Sequence, residues 1–395
     1  MSGRRNLSWA TAALALALAG CAVGPDYRRP SAPVTPAFKE AQGWRPGTPV
    51  DGVDKGAWWS IYHDPNLDGL EQQVAAANQT VKQYEAAYRQ AHAIVGETRA
   101  GLFPTLNGAA QLDRSHGHGS ASGGAGAGAT GSSAASTPST TSSGTGLLEA
   151  SWVPDLWGRL RRTLEGDKAL AQASAAELAN ARLSAQAMLA EDYFELRVLD
   201  EEKDLYRRTT EDNQAFLAIV QAQYTEGTQP FSAVISARAQ LYAAQSQGIA
   251  LEASRAKMEH AIAVLTGRPP AELSLPPATL SRDVPVPPPG LPSELLERRP
   301  DIATAERQVA AANAQIGVAT SAFFPDVTLS GEYGAAAGGL SGLFHGASSL
   351  WSIGASAAET LLDFGARAHQ VTAARAGYDA QVANYRQTVL TAFED

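Results

Sequence analysis

Few side chains in this sequence are spaced for chemistry. His116 and His118, two positions apart, are the pair that could ligate a metal ion. They sit in a Gly/Ser-rich run with Asp113 as the nearby carboxylate. A metal site needs convergent ligands held in place, so the pair is read as incidental. The seven histidines are scattered, and no Ser/His/Asp or Cys/His grouping stands out. Acid–base catalysis needs groups brought together with shifted pKa values; Glu191-Asp192 and Asp200-Glu201-Glu202 read instead as solvated helix faces. Neither an enzyme nor a bound cofactor is expected. The net charge of −9, with no basic cluster beyond the pairs Arg161-Arg162 and Arg298-Arg299, argues against nucleic acid as a partner.

The single cysteine excludes an intrachain disulfide, and its place suggests a different use. Arg4-Arg5 supplies a positive start, residues 7–19 a short apolar run, and Leu18-Ala19-Gly20-Cys21 follows. The run is too short to span a bilayer and has the form of a signal peptide over 1–20. Leu-Ala-Gly-Cys resembles a bacterial lipobox. By that resemblance Cys21 becomes the acylated mature N-terminus, and Ala22 after it favours delivery to the outer membrane. The alternative is an ordinary secreted protein with a stray cysteine.

The elements around these residues are long helices. From 159 to 223 there is no proline, glycine appears only at Gly166, and strong helix formers dominate. At ~1.5 Å per residue such a helix would be about 98 Å long. Gly227-Thr228-Gln229-Pro230 breaks it, and a return helix runs to Thr266. An earlier helix opening at Asp64-Pro65 carries a heptad stripe: Leu67, Leu70, Val74, Ala77, Val81, Tyr84, Tyr88, Ala91 and Val95.

After Phe103-Pro104 the period switches to two. Leu106, Gly108, Ala110 and Leu112 face one way, and Thr105, Asn107, Gln111 and Asp113 the other, with Ala109 among them. A second alternating run sets Leu148, Ala150 and Trp152 against Glu149 and Ser151. Each run is about nine residues, near the ~9–11 of a transmembrane strand, although a half-exposed strand of a soluble sheet has the same pattern. The Gly/Ser/Ala/Thr stretch between them, 115–146, is expected to be a loop.

The pattern then repeats. Ile302, Ala305, Val309, Ala312, Ile316, Ala319 and Phe323 form a second stripe, and Phe324-Pro325 stands 221 positions after Phe103-Pro104. Val327, Leu329, Gly331 and Tyr333 alternate with Thr328, Ser330 and Glu332; Trp351, Ile353, Ala355 and Ala357 alternate with Ser352 and Ser356. Asp363-Phe364-Gly365 echoes Asp155-Leu156-Trp157-Gly158. The expected organisation is therefore a signal peptide (1–20), an extended tether (21–63), a first repeat (64–270) with its hairpin tip at 224–234, a Pro-rich linker (271–292) and a second repeat (293–395) whose long hairpin is incomplete. The expected fold class is mixed: long α-helical hairpins plus four strands per chain.

Four strands cannot span lipid alone, because each open edge would leave unpaired N–H and C=O groups in hydrocarbon. Closure takes about eight strands or more, so strands must be pooled between copies. Three copies would supply twelve.

The chain resembles the TolC-like outer-membrane efflux proteins, in their NodT-like lipoprotein branch. The residues that carry the resemblance are 21–27, Trp58-Trp59, Asp64-Pro65, Phe103-Pro104, Asp155-Leu156-Trp157-Gly158-Arg159, the stretch Gly290-Leu291-Pro292-Ser293-Glu294-Leu295-Leu296-Glu297-Arg298-Arg299-Pro300-Asp301-Ile302, and Phe324-Pro325. The resemblance implies a passive homotrimeric channel in the outer membrane with a twelve-stranded barrel, in which Leu106, Trp152, Tyr333 and Trp351 belong to lipid-facing strands. It implies a helical barrel across the periplasm, a periplasmic adaptor and an inner-membrane pump, often of the resistance-nodulation-division class. Drugs, solvents or metal ions would be the cargo. Adaptor contact would fall on the tip, at Tyr224, Gly227, Thr228, Phe231 and Val234, although the family more often has an aliphatic residue where Thr228 stands. The family's closing residues belong mainly to the second hairpin. The chain is therefore read as C-terminally truncated, a fragment or a defective product, and is not expected to form a gated channel. A planar-bilayer recording of a normally closing pore would contradict that. Two alternatives remain. A periplasmic lipid-anchored adaptor would lack the alternating strands and the duplicated unit, and heat-modifiable outer-membrane trimers would separate it. A structural lipoprotein would leave efflux unchanged in a deletion strain.

Overall fold

The computed structural model describes residues 22–32, 56–118, 138–280, 299–338 and 349–394. The signal peptide, Cys21, most of the tether, and residues 290–298 lie outside the described residues. The described helices are α1 (Pro65–Ala77), α2 (Gln79–Ala100), α3 (Arg159–Thr225), α4 (Phe231–Leu265), α5 (Pro300–Ser321) and α6 (Ala366–Glu394). The strands are β1 (Thr105–His118), β2 (Pro138–Trp152), β3 (Asp326–Ala337) and β4 (Ser349–Ala358). Two compact units can be distinguished: one of Met1–Arg29, Ala93–Ala169 and Val309–Gln381, which holds the sheet, and one of Pro30–His92, Leu170–Gln308 and Val382–Asp395, which holds the hairpin. Among the described residues no helix is both long and apolar enough to cross a membrane.

In the helical unit, Asp64 caps α1 by accepting from Asn66 N at 2.9 Å, and Pro65 takes the first helical position. Tyr193 Oη donates to the second oxygen of Asp64 at 2.5 Å, tying the start of α1 to α3. The heptad stripe packs as its period requires: Leu67, Leu70, Val74 and Val81 are buried against Leu189, Tyr193, Leu196 and Ile262. Each such aliphatic side chain contributes roughly 1.5–3 kcal/mol by leaving water.

The stripe runs through two helices, where one was expected. Asn78 breaks the run. Its Oδ1 accepts from Val81 N at 3.0 Å, capping α2, and its Nδ2 donates to Leu265 O at 2.8 Å, satisfying a carbonyl at the end of α4. The side chain thus competes with the helical ladder and gains a distant partner.

A second correction concerns Asp200, expected on a solvated face. Its side chain is buried between two guanidiniums, Arg197 Nη1 at 3.0 Å and Arg255 Nε at 2.6 Å. The cluster also pins the segment after α4. Arg197 donates to Pro276 O, Arg255 to Leu275 O, Leu275 N to Glu259 and Ala278 N to Asp200. Leu273 and Leu275 pack on the core as well, so apolar contact and charge-assisted hydrogen bonds together hold the segment.

Glu71 is buried on α1, and among the described residues neither carboxylate oxygen has a hydrogen-bond partner. Burial pushes it up to about 8. Between its ordinary range and about pH 8 the folded state binds the extra proton, so stability falls as pH rises through that window. Glu71→Gln is expected to flatten this loss, which is at most about 1.4 kcal/mol per pH unit; urea titrations of both proteins from pH 5 to 8.5 read it directly.

Candidate functional site

The four strands form one antiparallel sheet in the order β1-β2-β3-β4. Its strands are longer than their alternation suggested. β1 extends to His118 and β2 begins at Pro138, so the loop expected over 115–146 narrows to 119–137, which lies outside the described residues. The Gly/Ser/Thr ends pair through the backbone ladder, which needs no apolar side chain.

Register decides which residues share a face. Leu148 lies opposite Gly108 on one side and Tyr333 on the other, and Tyr333 lies opposite Trp351. Trp152 lies opposite Leu329, and Leu106 opposite Ala150. Leu106, Trp152, Tyr333 and Trp351 therefore share one face with Leu112, Leu148, Leu329 and Ile353. That face is open: Trp351 is 72% exposed and Ile353 83%. Exposed apolar side chains gathered on one sheet face mark contact with lipid or protein.

On the opposite face Asn107, Glu149, Glu332 and Ser352 stand in one row across all four strands. Ser352 Oγ donates to Glu332 at 3.2 Å. Two carboxylates directly opposite one another repel, and water on that face lowers the cost. The face is not uniformly polar: Ala109, Leu147, Gly334 and Leu350 form a neighbouring row. Sequence reading set Glu149 and Glu332 opposite the apolar residues of their strands but had no signal that they are neighbours, because the β2–β3 pairing joins residues far apart in the chain.

At the foot of the sheet, Trp157 stacks on Phe324 with centroids 4.8 Å apart and donates from Nε1 to Pro325 O at 2.9 Å. Asp155 caps α3 through Leu160 N and Arg161 N, and Asp363 caps α6 in the same way through Arg367 N. Sequence reading also missed a clamp on the segment that follows Cys21. The buried Arg162 donates to Val23 O, Gly24 O and Asp26 Oδ1, and Asn313 donates to Pro25 O. Gly24 adopts φ +105 there, and a Cβ would meet Gly317 Cα at 2.5 Å, so only glycine lets the segment lie this close.

The hairpin tip ends α3 in a Schellman turn. Gly227 takes φ +75, its N–H bonds to Tyr224 O, and Thr228 N bonds to Gln223 O. Tyr224 and Phe231 pack ring on ring at 5.4 Å across the turn. Tyr224, Gly227, Thr228 and Phe231 are exposed, but Val234 is not. It is 3% exposed and packs on Val220 and Ala237, so it holds the hairpin together and presents nothing at its surface. Among the described residues no group of histidine, cysteine and carboxylate side chains is placed to hold a metal ion; His116 Nδ1 lies 2.8 Å from Thr140 Oγ1.

Comparison with known proteins agrees with this geometry. Outer membrane protein OprJ of Pseudomonas aeruginosa is 30% identical over 97% of this chain and 78% of its own length. Cation efflux system protein CusC of Escherichia coli K12 is 27% identical over 97% of this chain and 80% of its own. The solved structure of the outer-membrane channel OprN superposes with a TM-score of 0.81 at 32% identity, covering 95% of this chain and 81% of that one. The profile of the outer membrane efflux protein family matches residues 70–268 and 291–395, and the chain belongs to that family.

Proposed function

We propose that this chain is the outer-membrane channel subunit of a tripartite efflux system, in which three copies pool their strands into one barrel. The observation that carries this reading is the sheet itself, with Leu106, Leu148, Tyr333, Trp351 and Ile353 on one face, the row of Asn107, Glu149, Glu332 and Ser352 on the other, and β1 and β4 left open at its edges. In lipid those edges must pair. The row of Asn107, Glu149, Glu332 and Ser352 then lines the passage, and Trp351 and Ile353 face acyl chains. Acylated Cys21 anchors the mature chain. A periplasmic adaptor docks on the tip, and an inner-membrane pump of the resistance-nodulation-division class drives export of small molecules. The protein performs no chemistry of its own in this reading; drugs, solvents or metal ions are the cargo.

Deleting the gene and scoring susceptibility to dyes, solvents and metal salts tests export: unchanged susceptibility to every one contradicts it. At the tip, Phe231→Asp is expected to weaken adaptor binding roughly tenfold, about 1.4 kcal/mol, without changing the amount of protein in the outer membrane. Pull-down with the adaptor encoded beside the pump measures this, and undiminished capture would move the docking surface elsewhere.

A further inference from the structure

The two repeats are related by displacements that recur at several places. The turn before β1 closes through Leu102 N to Arg99 O and Phe103 N to Ala100 O, and the turn before β3 through Phe323 N to Thr320 O and Phe324 N to Ser321 O, each 221 positions on. β1 begins at Thr105 and β3 at Asp326, the same displacement. For the second strands the displacement is 207. Gly108 pairs with Leu148, and its counterpart Leu329 pairs with Ala355. Beyond the strands, Gly158 and Gly365, also 207 apart, both take left-handed φ, +84 and +92. Strand and glycine keep the same spacing in both copies, although the capping aspartates between them, Asp155 and Asp363, are 208 apart.

One joint between repeats is visible inside the chain. β2 meets β3 with Leu148 opposite Tyr333, and below it Trp157 stacks on Phe324. The same joint, displaced by one repeat, would join β4 to a β1 that this chain uses elsewhere. Its aromatic halves are both present and bare: Phe364, the counterpart of Trp157, is 90% exposed, and Phe103, the counterpart of Phe324, is 62% exposed.

We infer that β4 of one copy pairs antiparallel with β1 of the next copy in the register that sets Ala355 opposite Leu112 and Ala357 opposite Ala110, with Phe364 of the first copy stacked on Phe103 of the second. This rests on the reading that copies pool their strands, and it adds which residues meet. The register keeps like faces together, as any register carried over from the three pairings inside the chain must. Trp351, Ile353, Ala355 and Ala357 fall beside His116, Arg114, Leu112 and Ala110, all on the face shared with Leu106 and Leu148. A slip of one residue would set the apolar face of β4 against the polar face of β1. The joint between copies is also the poorer of the two. Phenylalanine cannot reproduce the Trp157 Nε1 hydrogen bond to Pro325 O, and Ala366 and Thr105 replace the Arg159–Asp326 ion pair. Heating is therefore expected to part copies from one another before β2 leaves β3.

Three double variants of the full chain, exported to the outer membrane, test the register: Leu112→Cys combined in turn with Ile353→Cys, Ala355→Cys and Ala357→Cys. The unmodified chain, with Cys21 alone, gives the background. After mild oxidation the Leu112/Ala355 pair is expected to give several-fold more interchain product than the other two. A maximum at Ile353 or Ala357 overturns the register and leaves pooling intact. No interchain product from any pair, in a protein that still holds three chains per particle, overturns the joint alone; one chain per particle overturns the pooled barrel as well. A measurement without cysteines guards against misfolded variants. Phe364→Ala and Phe103→Ala should each lower the temperature at which copies separate, and the double variant should fall little further than the worse single one. Additive losses would mean that the two rings do not meet.

Discussion

Asp200→Ala lowers the unfolding free energy by about 3–5 kcal/mol, the cost of removing one partner from a buried ion pair. The substitution leaves Arg197 and Arg255 facing each other with the shared carboxylate gone. Arg197 is then held by Pro276 O and the Tyr193 ring, 4.7 Å from its guanidinium, and Ala278 N loses its acceptor. The loss should be local as well as global. Amide exchange over 275–280 should accelerate before the hairpin core does, and urea titration should show a lower midpoint. A shift under about 0.5 kcal/mol, the size of a surface substitution, would mean that the cluster is solvated.

Ile353→Arg sets a second cation beside Arg114 of the neighbouring copy and costs up to about 2–4 kcal/mol of folding into lipid vesicles, the penalty of a cation near the middle of an apolar barrel face. Ile353 lies in mid-β4 between Trp351 and Ala355 on the bare face. Ser352→Arg, one residue along, supplies the comparison. It enters the face of Glu332 and should cost less than about 1 kcal/mol. Equal costs for the two would show that the sheet does not separate lipid from water.

Much of this was legible in the sequence because the physics is local. The hairpin follows from proline-free runs bounded by Gly227 and Pro230, and the stripes from a period that decides which residues meet. The strand faces follow from alternation, which the register preserves from Leu106 to Ile353. What the sequence hid depends on partners far along the chain. Asn78 keeps the heptad phase on both sides, so the break shows only once Leu265 O is found beside it. Asp200 looks like its exposed neighbours Glu201 and Glu202 until Arg255, 55 positions on, is packed against it. Val234 follows the tip closely enough to be grouped with it, yet helical phase turns it inward. The Gly/Ser ends of β1 and β2 carry no alternation because backbone pairing, not side-chain burial, extends them. Arg162 was noticed only as half of a basic pair; its carbonyl partners, Val23 and Gly24, lie in a segment with a family resemblance but no periodicity to point at a partner.

The account stands on edges that one chain cannot satisfy. Counting chains per particle, by light scattering of protein extracted from the outer membrane in mild detergent, tests it most directly. Three chains per particle is the expected value. A folded single chain that keeps β1 and β4 unpaired would contradict it.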